Sequence, residues 1–129
     1  MSFTKSVKKI FIVDDDEMLQ AALEDYITRR TPYEVVCFGT GEECMKNLSQ
    51  GPDVIIIDYF LNSVDKNASN GLETMEAIKK HYNNIHFIML SSQERYGIAL
   101  QSLQKGAEQY VIKDEDAYEK IVDMLEALE

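Results

Sequence analysis

The chain has 129 residues, 45% of them hydrophobic and 28% charged, with a formal net charge of −10. That size and mixture describe one soluble domain able to bury its own core. The negative balance excludes an electrostatic grip on nucleic acid or an anionic membrane, and no apolar run approaches the ~20 residues of a membrane span. Nothing behind Met1-Ser2-Phe3-Thr4-Lys5 resembles the apolar core of a signal peptide. Cys37 and Cys44 fit neither a CxxC motif nor a disulfide framework, so both read as packing residues of a reduced, cytoplasmic protein.

Residues 1–7 read as a short lead. Lys8 to Val13 form a first strand, apolar through Ile10-Phe11-Ile12-Val13 and ending in Asp14-Asp15-Asp16-Glu17. From Asp14 to Arg30 the period changes: Met18, Leu19, Ala22, Leu23, Tyr26 and Ile27 recur at helical spacing behind an acidic start. Asp16 and Glu17 read as capping residues. Thr31-Pro32 stops that helix. Tyr33 to Phe38 is a second strand. Thr40 with Glu43 three residues on is a capping box that opens a helix to about Ser49.

After Gly51-Pro52 comes the central strand, residues 53–58. Val54-Ile55-Ile56-Ile57 predict a strand buried on both faces, and it ends in Asp58. Residues 59–70 are polar and loop-like. A third helix starts near Asn70, with Glu73 at capping-box distance and Leu72, Met75 and Ile78 on its buried face. Ile85 to Leu90 is a fourth strand, followed by Ser91-Ser92. Gln93 to Lys105 is a fourth helix, with Ile98, Leu100 and Leu103 apolar and Gly106 as its C-terminal cap. Glu108 to Ile112 is a fifth strand ending at Lys113. The last helix, about 115–128, carries Tyr118, Ile121, Val122, Leu125 and Leu128. The six methionines read as core filler. His81 and His86 fit no metal motif.

Five strands alternating with five helices predict a single α/β domain, a parallel sheet covered by helices on both faces. No repeat, linker or second domain is visible. In such sheets chemistry collects at the carboxyl ends of the strands. Those ends bring Asp14 and Asp15, Asp58, Ser91 and Lys113 to one edge. Clustered carboxylates are costly unless a divalent cation or shared protons neutralise them. Oxygen ligands favour Mg²⁺. A carboxylate is also a nucleophile able to form an acyl phosphate, so the edge points to phosphoryl transfer.

The matching stretches are Val13-Asp14-Asp15, Asp58 after Asp53-Val54-Ile55-Ile56-Ile57, Gly71-Leu72, Met89-Leu90-Ser91-Ser92 and Tyr110-Val111-Ile112-Lys113. Through them the chain, from Lys8 to about Leu128, resembles the CheY-like receiver domains of two-component response regulators. The resemblance implies a flavodoxin-like, three-layer fold with strand order 2-1-3-4-5. It implies that Asp58 is the phosphoacceptor and that Asp14 and Asp15 bind Mg²⁺ with Asp58 and the backbone carbonyl of Phe60. Ser91 would be the switch hydroxyl, Lys113 the phosphate-contacting lysine and Tyr110 the switch aromatic, though ordinary packing also accounts for Tyr110. The phosphodonor would be a sensor histidine kinase or a phosphotransfer protein. Output, to a second copy or a separate protein, would run through the face of helix 4, strand 5 and helix 5, with Ile98, Tyr110 and Tyr118 as candidates.

The chain departs from the family pattern in three places. The loop from Asp58 to Gly71 is about five residues longer, so that residues 61–70 suggest a flap. Asp114 follows Lys113 where the family has proline. Phe60, two residues past the acceptor, offers no side chain to orient a water, which predicts slow self-dephosphorylation. The resemblance implies a phosphoacceptor rather than an enzyme. A phosphorylation-independent binding module on the same fold is the alternative. A haloacid dehalogenase-like phosphatase would need an Asp at position 60, and a flavin carrier would need a phosphate cradle where Asp14-Asp15-Asp16 would repel one.

Overall fold

The computed structural model describes residues 8–61, 67–92 and 96–128. Five strands are joined by helices: β1 (Lys9–Val13), α1 (Glu17–Arg30), β2 (Glu34–Phe38), α2 (Gly41–Lys46), β3 (Val54–Asp58), α3 (Gly71–Lys79), β4 (His86–Ser91), α4 (Tyr96–Gln104), β5 (Gln109–Ile112) and α5 (Ala117–Ala127). All strand pairs are parallel, and the sheet order is β2-β1-β3-β4-β5. This is the flavodoxin-like arrangement, in which the strand order reverses beside β1 and β3 and opens a crevice at their carboxyl ends.

The alternation of side chains along each strand divides the core in two. Ile10, Ile12, Val54, Ile56, Ile88 and Leu90 face α1 and α5, packing with Leu23, Ile27, Ile121 and Leu125. Phe11, Val13, Ile55, Ile57, Phe87 and Met89 face α2 and α3, packing with Cys44, Leu72, Met75 and Ile78. Every residue of β3 is buried, as its unbroken β-branched run requires. At the amino end of the sheet, Asp53 accepts from the Lys9 N–H at 2.9 Å and fixes the register of β3 against β1.

Several boundaries differ from the sequence expectation. The second helix ends at Lys46, and a separate 3-10 turn covers Leu48–Gln50 before Gly51 turns left-handed at φ 74°. Asn47 marks the break, its side chain bonding back to the Glu43 carbonyl at 2.8 Å. Of the two capping boxes, that of Asn70 and Glu73 is complete in both directions, whereas Thr40 accepts from the Glu43 N–H. The helix α1 starts later than Asp14, because Asp16 caps it by accepting from the N–H groups of Met18 and Leu19. Met18 is therefore in the first turn, where the helix clears the sheet, and it is 83% exposed rather than core filler.

Ser91 is the last residue of β4 rather than the first residue beyond it. The expected start of the fourth helix at Gln93, and half of the 61–70 flap, fall on residues 93–95 and 62–66, outside the described residues. Both thiols sit in packed surroundings, and burial pushes each up to about 12, with Glu24 adding to the effect at Cys37. They stay protonated and act as packing groups.

Candidate functional site

The pocket is built by the loops that leave β1, β3 and β5. The end of β1 places Asp14 and Asp15, and the end of β3 places Asp58. Carboxylate oxygens of all three lie within 4.8 Å of one another. Asp14 and Asp58 are 1% and 4% exposed, so their charges are held almost out of water. Lys113, just past β5, closes the group: its Nζ stands 3.0 Å from Asp14 Oδ2 and 3.3 Å from Asp58 Oδ1.

Local structure fixes each carboxylate. The Asp16 N–H donates to Asp14 Oδ1 at 2.9 Å, and the Asp14 N–H donates to the Phe38 carbonyl at 3.0 Å. The Phe60 N–H donates to the Asp58 carboxylate. The Lys113 N–H donates to the Ser91 carbonyl at 2.8 Å, which ties the lysine to the end of β4.

These surroundings shift the proton affinities. Burial, with the Asp14 charge adding to it, pushes Asp58 up to about 6, against the pull of Lys113 and the Phe60 N–H. Burial also raises Asp14, opposed by the Asp16 N–H and by Lys113. Burial alone would lower the Lys113 amine, but the charges of Asp58 and Asp14 outweigh it and the ammonium is held above its ordinary value. Burial thus accounts for the two raised acids, and the two carboxylates facing Lys113 account for its raised ammonium.

Asp14 Oδ2 is fully enclosed, and what meets it is the Lys113 ammonium, 3.0 Å away as an ion pair. Three carboxylates gathered against the Lys113 ammonium leave negative charge uncompensated, and that donor set fits a hard divalent cation with oxygen ligands.

The remaining sequence-derived residues stand as follows. Ser91 is completely buried at the end of β4, next to the β5 edge through its register with Ile112. Phe60 lies beside Asp58, its ring edge-on to Tyr59 at 4.7 Å. Tyr110 is partly buried against the α3-side core, three residues before Lys113. Tyr118 turns toward α1, with its ring 5.6 Å from that of Tyr26. It therefore takes part in the α1–α5 contact. His86 pairs with Glu108 at 2.9 Å on the surface, far from the pocket's strand ends.

Two supporting residues had no role assigned from sequence. Gly71 lies directly on the backbone of Asp58: a Cβ there would fall 2.2 Å from the Asp58 carbonyl oxygen. Gln20 reaches from α1 to the end of β1. Gly71 lies in the matched stretch Gly71-Leu72, but nothing in the sequence says what it packs against, and Gln20 carries no charge or motif that sets it apart from an ordinary helix residue.

Fold and pocket define a class: flavodoxin-like α/β domains with an acidic, lysine-closed pocket at the carboxyl edge of the sheet. Within that class the chain belongs to the response regulator receiver domain family, whose model matches residues 10–126. It is 28% identical over 111 residues to the response regulator protein VraR of Staphylococcus saprophyticus, a match covering 84% of this chain and 51% of VraR. It is 29% identical over 107 residues to the alkaline phosphatase synthesis transcriptional regulatory protein PhoP of Bacillus subtilis, covering 82% of this chain and 42% of PhoP. The chain thus spans about half the length, or less, of these curated relatives. A CheY-like receiver domain protein from Methanospirillum hungatei shares the fold with a TM-score of 0.81 at 23% identity, over 95% of this chain and 94% of that one. The chain is accordingly a receiver of two-component signal transduction. No helix among the described residues is long and apolar enough to cross a membrane.

Proposed function

We propose that Asp58 is the phosphoacceptor of this receiver and that the strand-end pocket is its reaction site. The observation that carries this reading is the convergence of Asp14, Asp15 and Asp58 within 4.8 Å, closed by Lys113 at 3.3 Å from Asp58. Above pH 6 the Asp58 carboxylate is mostly ionised, since its proton leaves at about 6. One of its oxygens attacks the phosphorus of a phosphohistidine. The O–P bond forms as the N–P bond breaks, and the imidazole nitrogen keeps the electron pair. The product is an acyl phosphate on Asp58.

Lys113 is placed to move from the Asp58 oxygen to a phosphoryl oxygen, as a point charge. Mg²⁺ held by Asp14, Asp15, Asp58 and the Phe60 carbonyl would neutralise charge on the transferring group. The Ser91 hydroxyl offers a donor to the phosphoryl group once it is attached, and Tyr110 the aromatic that responds. The donor is a sensor histidine kinase or a phosphotransfer protein, in the cytoplasm. Output runs through α4, β5 and α5, where Leu100 and Leu103 stand 58% and 45% exposed and suit a second copy or another protein partner. The net charge of −10 directs that surface away from nucleic acid.

The test is intact mass after acetyl phosphate, with Mg²⁺ and with a chelator. A single phosphoryl increment in Mg²⁺ alone is expected, and no increment in either condition overturns the reading. Without any donor, Mg²⁺ at about a hundred times its dissociation constant should stabilise the fold by about 2.7 kcal/mol, by mass action. Chemical denaturation with and without the ion reads this directly. An unchanged midpoint would remove Mg²⁺ from the site.

The label should also be long-lived. Hydrolysis needs a water aligned behind phosphorus, and the Phe60 side chain cannot hold one. Phe60→Asn introduces a polar group there and should speed label loss by roughly tenfold. The decay of the phosphorylated mass over time gives the rate. Fast decay in the parent protein, not accelerated by the substitution, would contradict this account.

A further inference from the structure

We infer that Gln20 is the positioning residue of the acidic pocket: its side-chain amide sets where Asp14 and Asp15 stand relative to Asp58. This rests on the phosphoacceptor reading for its function, but not for its geometry.

Three carboxylates held within 4.8 Å repel one another, so the loop carrying two of them must be held in place from outside the cluster. Lys113 attracts the side chains but does not fix the backbone of the β1–α1 loop. The brace comes from α1. Gln20 Nε2 donates to the Asp14 carbonyl at 2.5 Å and to the Phe38 carbonyl at 3.1 Å. One amide group thus spends both hydrogens on the ends of two neighbouring strands. The opposite amide orientation would set its oxygen against two carbonyl oxygens, so the network itself fixes which way the group points. The Phe38 carbonyl also accepts the Asp14 N–H at 3.0 Å, and Asp14 Oδ1 accepts the Asp16 N–H at 2.9 Å.

Taken together, the backbone N–H, the carbonyl and Oδ1 of Asp14 are each bound. The geometry turns Asp14 Oδ2 in one direction, toward Lys113 and the other carboxylates. Gln20 supplies the side-chain hydrogen bonds that α1 makes to the backbone of this arrangement, while Lys113 meets the carboxylate itself. It touches no reacting atom and is anchored through its own N–H to the Asp16 carbonyl at 3.0 Å, inside α1. An outer partner of this kind typically governs metal affinity by 10–100-fold.

The test compares Gln20→Met, which keeps the volume and removes the donor, with Gln20→Glu, which keeps the shape and turns donor into acceptor. Calorimetric Mg²⁺ titration of the metal-free proteins should show the dissociation constant rising about tenfold for Gln20→Met and further for Gln20→Glu. Hydrogen exchange should show the Asp14 amide losing protection while the amides of β3 keep theirs. Labelling by acetyl phosphate should need more Mg²⁺ but reach nearly the parent rate at saturation, because Asp58 itself is untouched. Unchanged Mg²⁺ affinity in both variants overturns the proposal. So does a loss of protection spread evenly over the sheet with a matching fall in melting temperature, which is the mark of a mere filler. If Gln20→Glu fails to fold, Gln20→Met decides alone. A parent protein that binds Mg²⁺ but takes no label defeats the phosphoacceptor reading and leaves Gln20 to be judged on affinity and exchange.

Discussion

Asp58→Asn is expected to abolish phosphoryl incorporation and, in Mg²⁺-free buffer above pH 6, to make the protein more stable. The first effect follows because an amide oxygen is no nucleophile for phosphorus. The second follows from proton linkage. Asp58 ionises at 3.8 in its ordinary state and at about 6 in the fold, because burial and the Asp14 charge disfavour its carboxylate. The folded state therefore holds this proton more tightly than the unfolded one. The contribution of Asp58 to stability is fully present below pH 4 and is lost as the pH rises through 6. The whole loss amounts to about 3 kcal/mol. Asn keeps the shape and an acceptor for the Phe60 N–H, and it has no charge to lose water. The variant and the parent should converge near pH 4 and separate by about 2–3 kcal/mol at pH 7. Urea denaturation across that range reads the difference. Mg²⁺ should reverse the order, by stabilising the parent more than the variant. A variant that takes label at another residue, or one whose stability tracks the parent at every pH, would displace Asp58 from the centre of the site.

A candidate site that is also a stability defect explains why its acids stood out in the sequence. Acids directly after the apolar runs Ile10–Val13 and Val54–Ile57 have no structural motive, so their positions carry information. The alternation of buried runs with amphipathic segments was enough for the parallel sheet, and Lys113 followed from the fifth run. What stayed hidden depends on three-dimensional neighbours. The helical period that includes Met18 is real, but the Asp16 cap starts the helix beyond the sheet's edge, where Met18 finds no core. Tyr118 has the spacing of an α5 face residue, and only the packing shows that Tyr26 of α1 receives it. Gln20 is an ordinary polar helix residue until two strand ends are placed within reach of its amide. Ser91 sits at the end of β4 because its pairing with Ile112 carries the ladder one residue further than the hydrophobic run.

Gly71 is the second position where a small change should have a large effect. Its φ is not left-handed, so the glycine is there for space. An alanine Cβ would lie 2.2 Å from the Asp58 carbonyl oxygen and 2.9 Å from both the Asp58 carbonyl carbon and Tyr59 Cα. All three are backbone atoms, so no rotamer change relieves the overlap. The Gly71 N–H meanwhile donates to the Tyr59 carbonyl at 2.8 Å, which holds α3 against that same stretch. Either the end of β3 or the start of α3 must shift. Gly71→Ala should cost about 3 kcal/mol, at the upper end of overpacking effects, and should move the Asp58 carboxyl relative to Asp14 and Lys113. Gly97→Ala is the matched control. It lies in the first turn of α4 with nothing within 4 Å of the added Cβ, so it should gain up to about 0.5 kcal/mol from helix propensity. Melting curves should therefore move in opposite directions for the two substitutions. Labelling by acetyl phosphate, measured well below both melting temperatures, should fall for Gly71→Ala and hold for Gly97→Ala. Equal labelling in both would mean that the α3 contact supports the fold without setting the aim of Asp58.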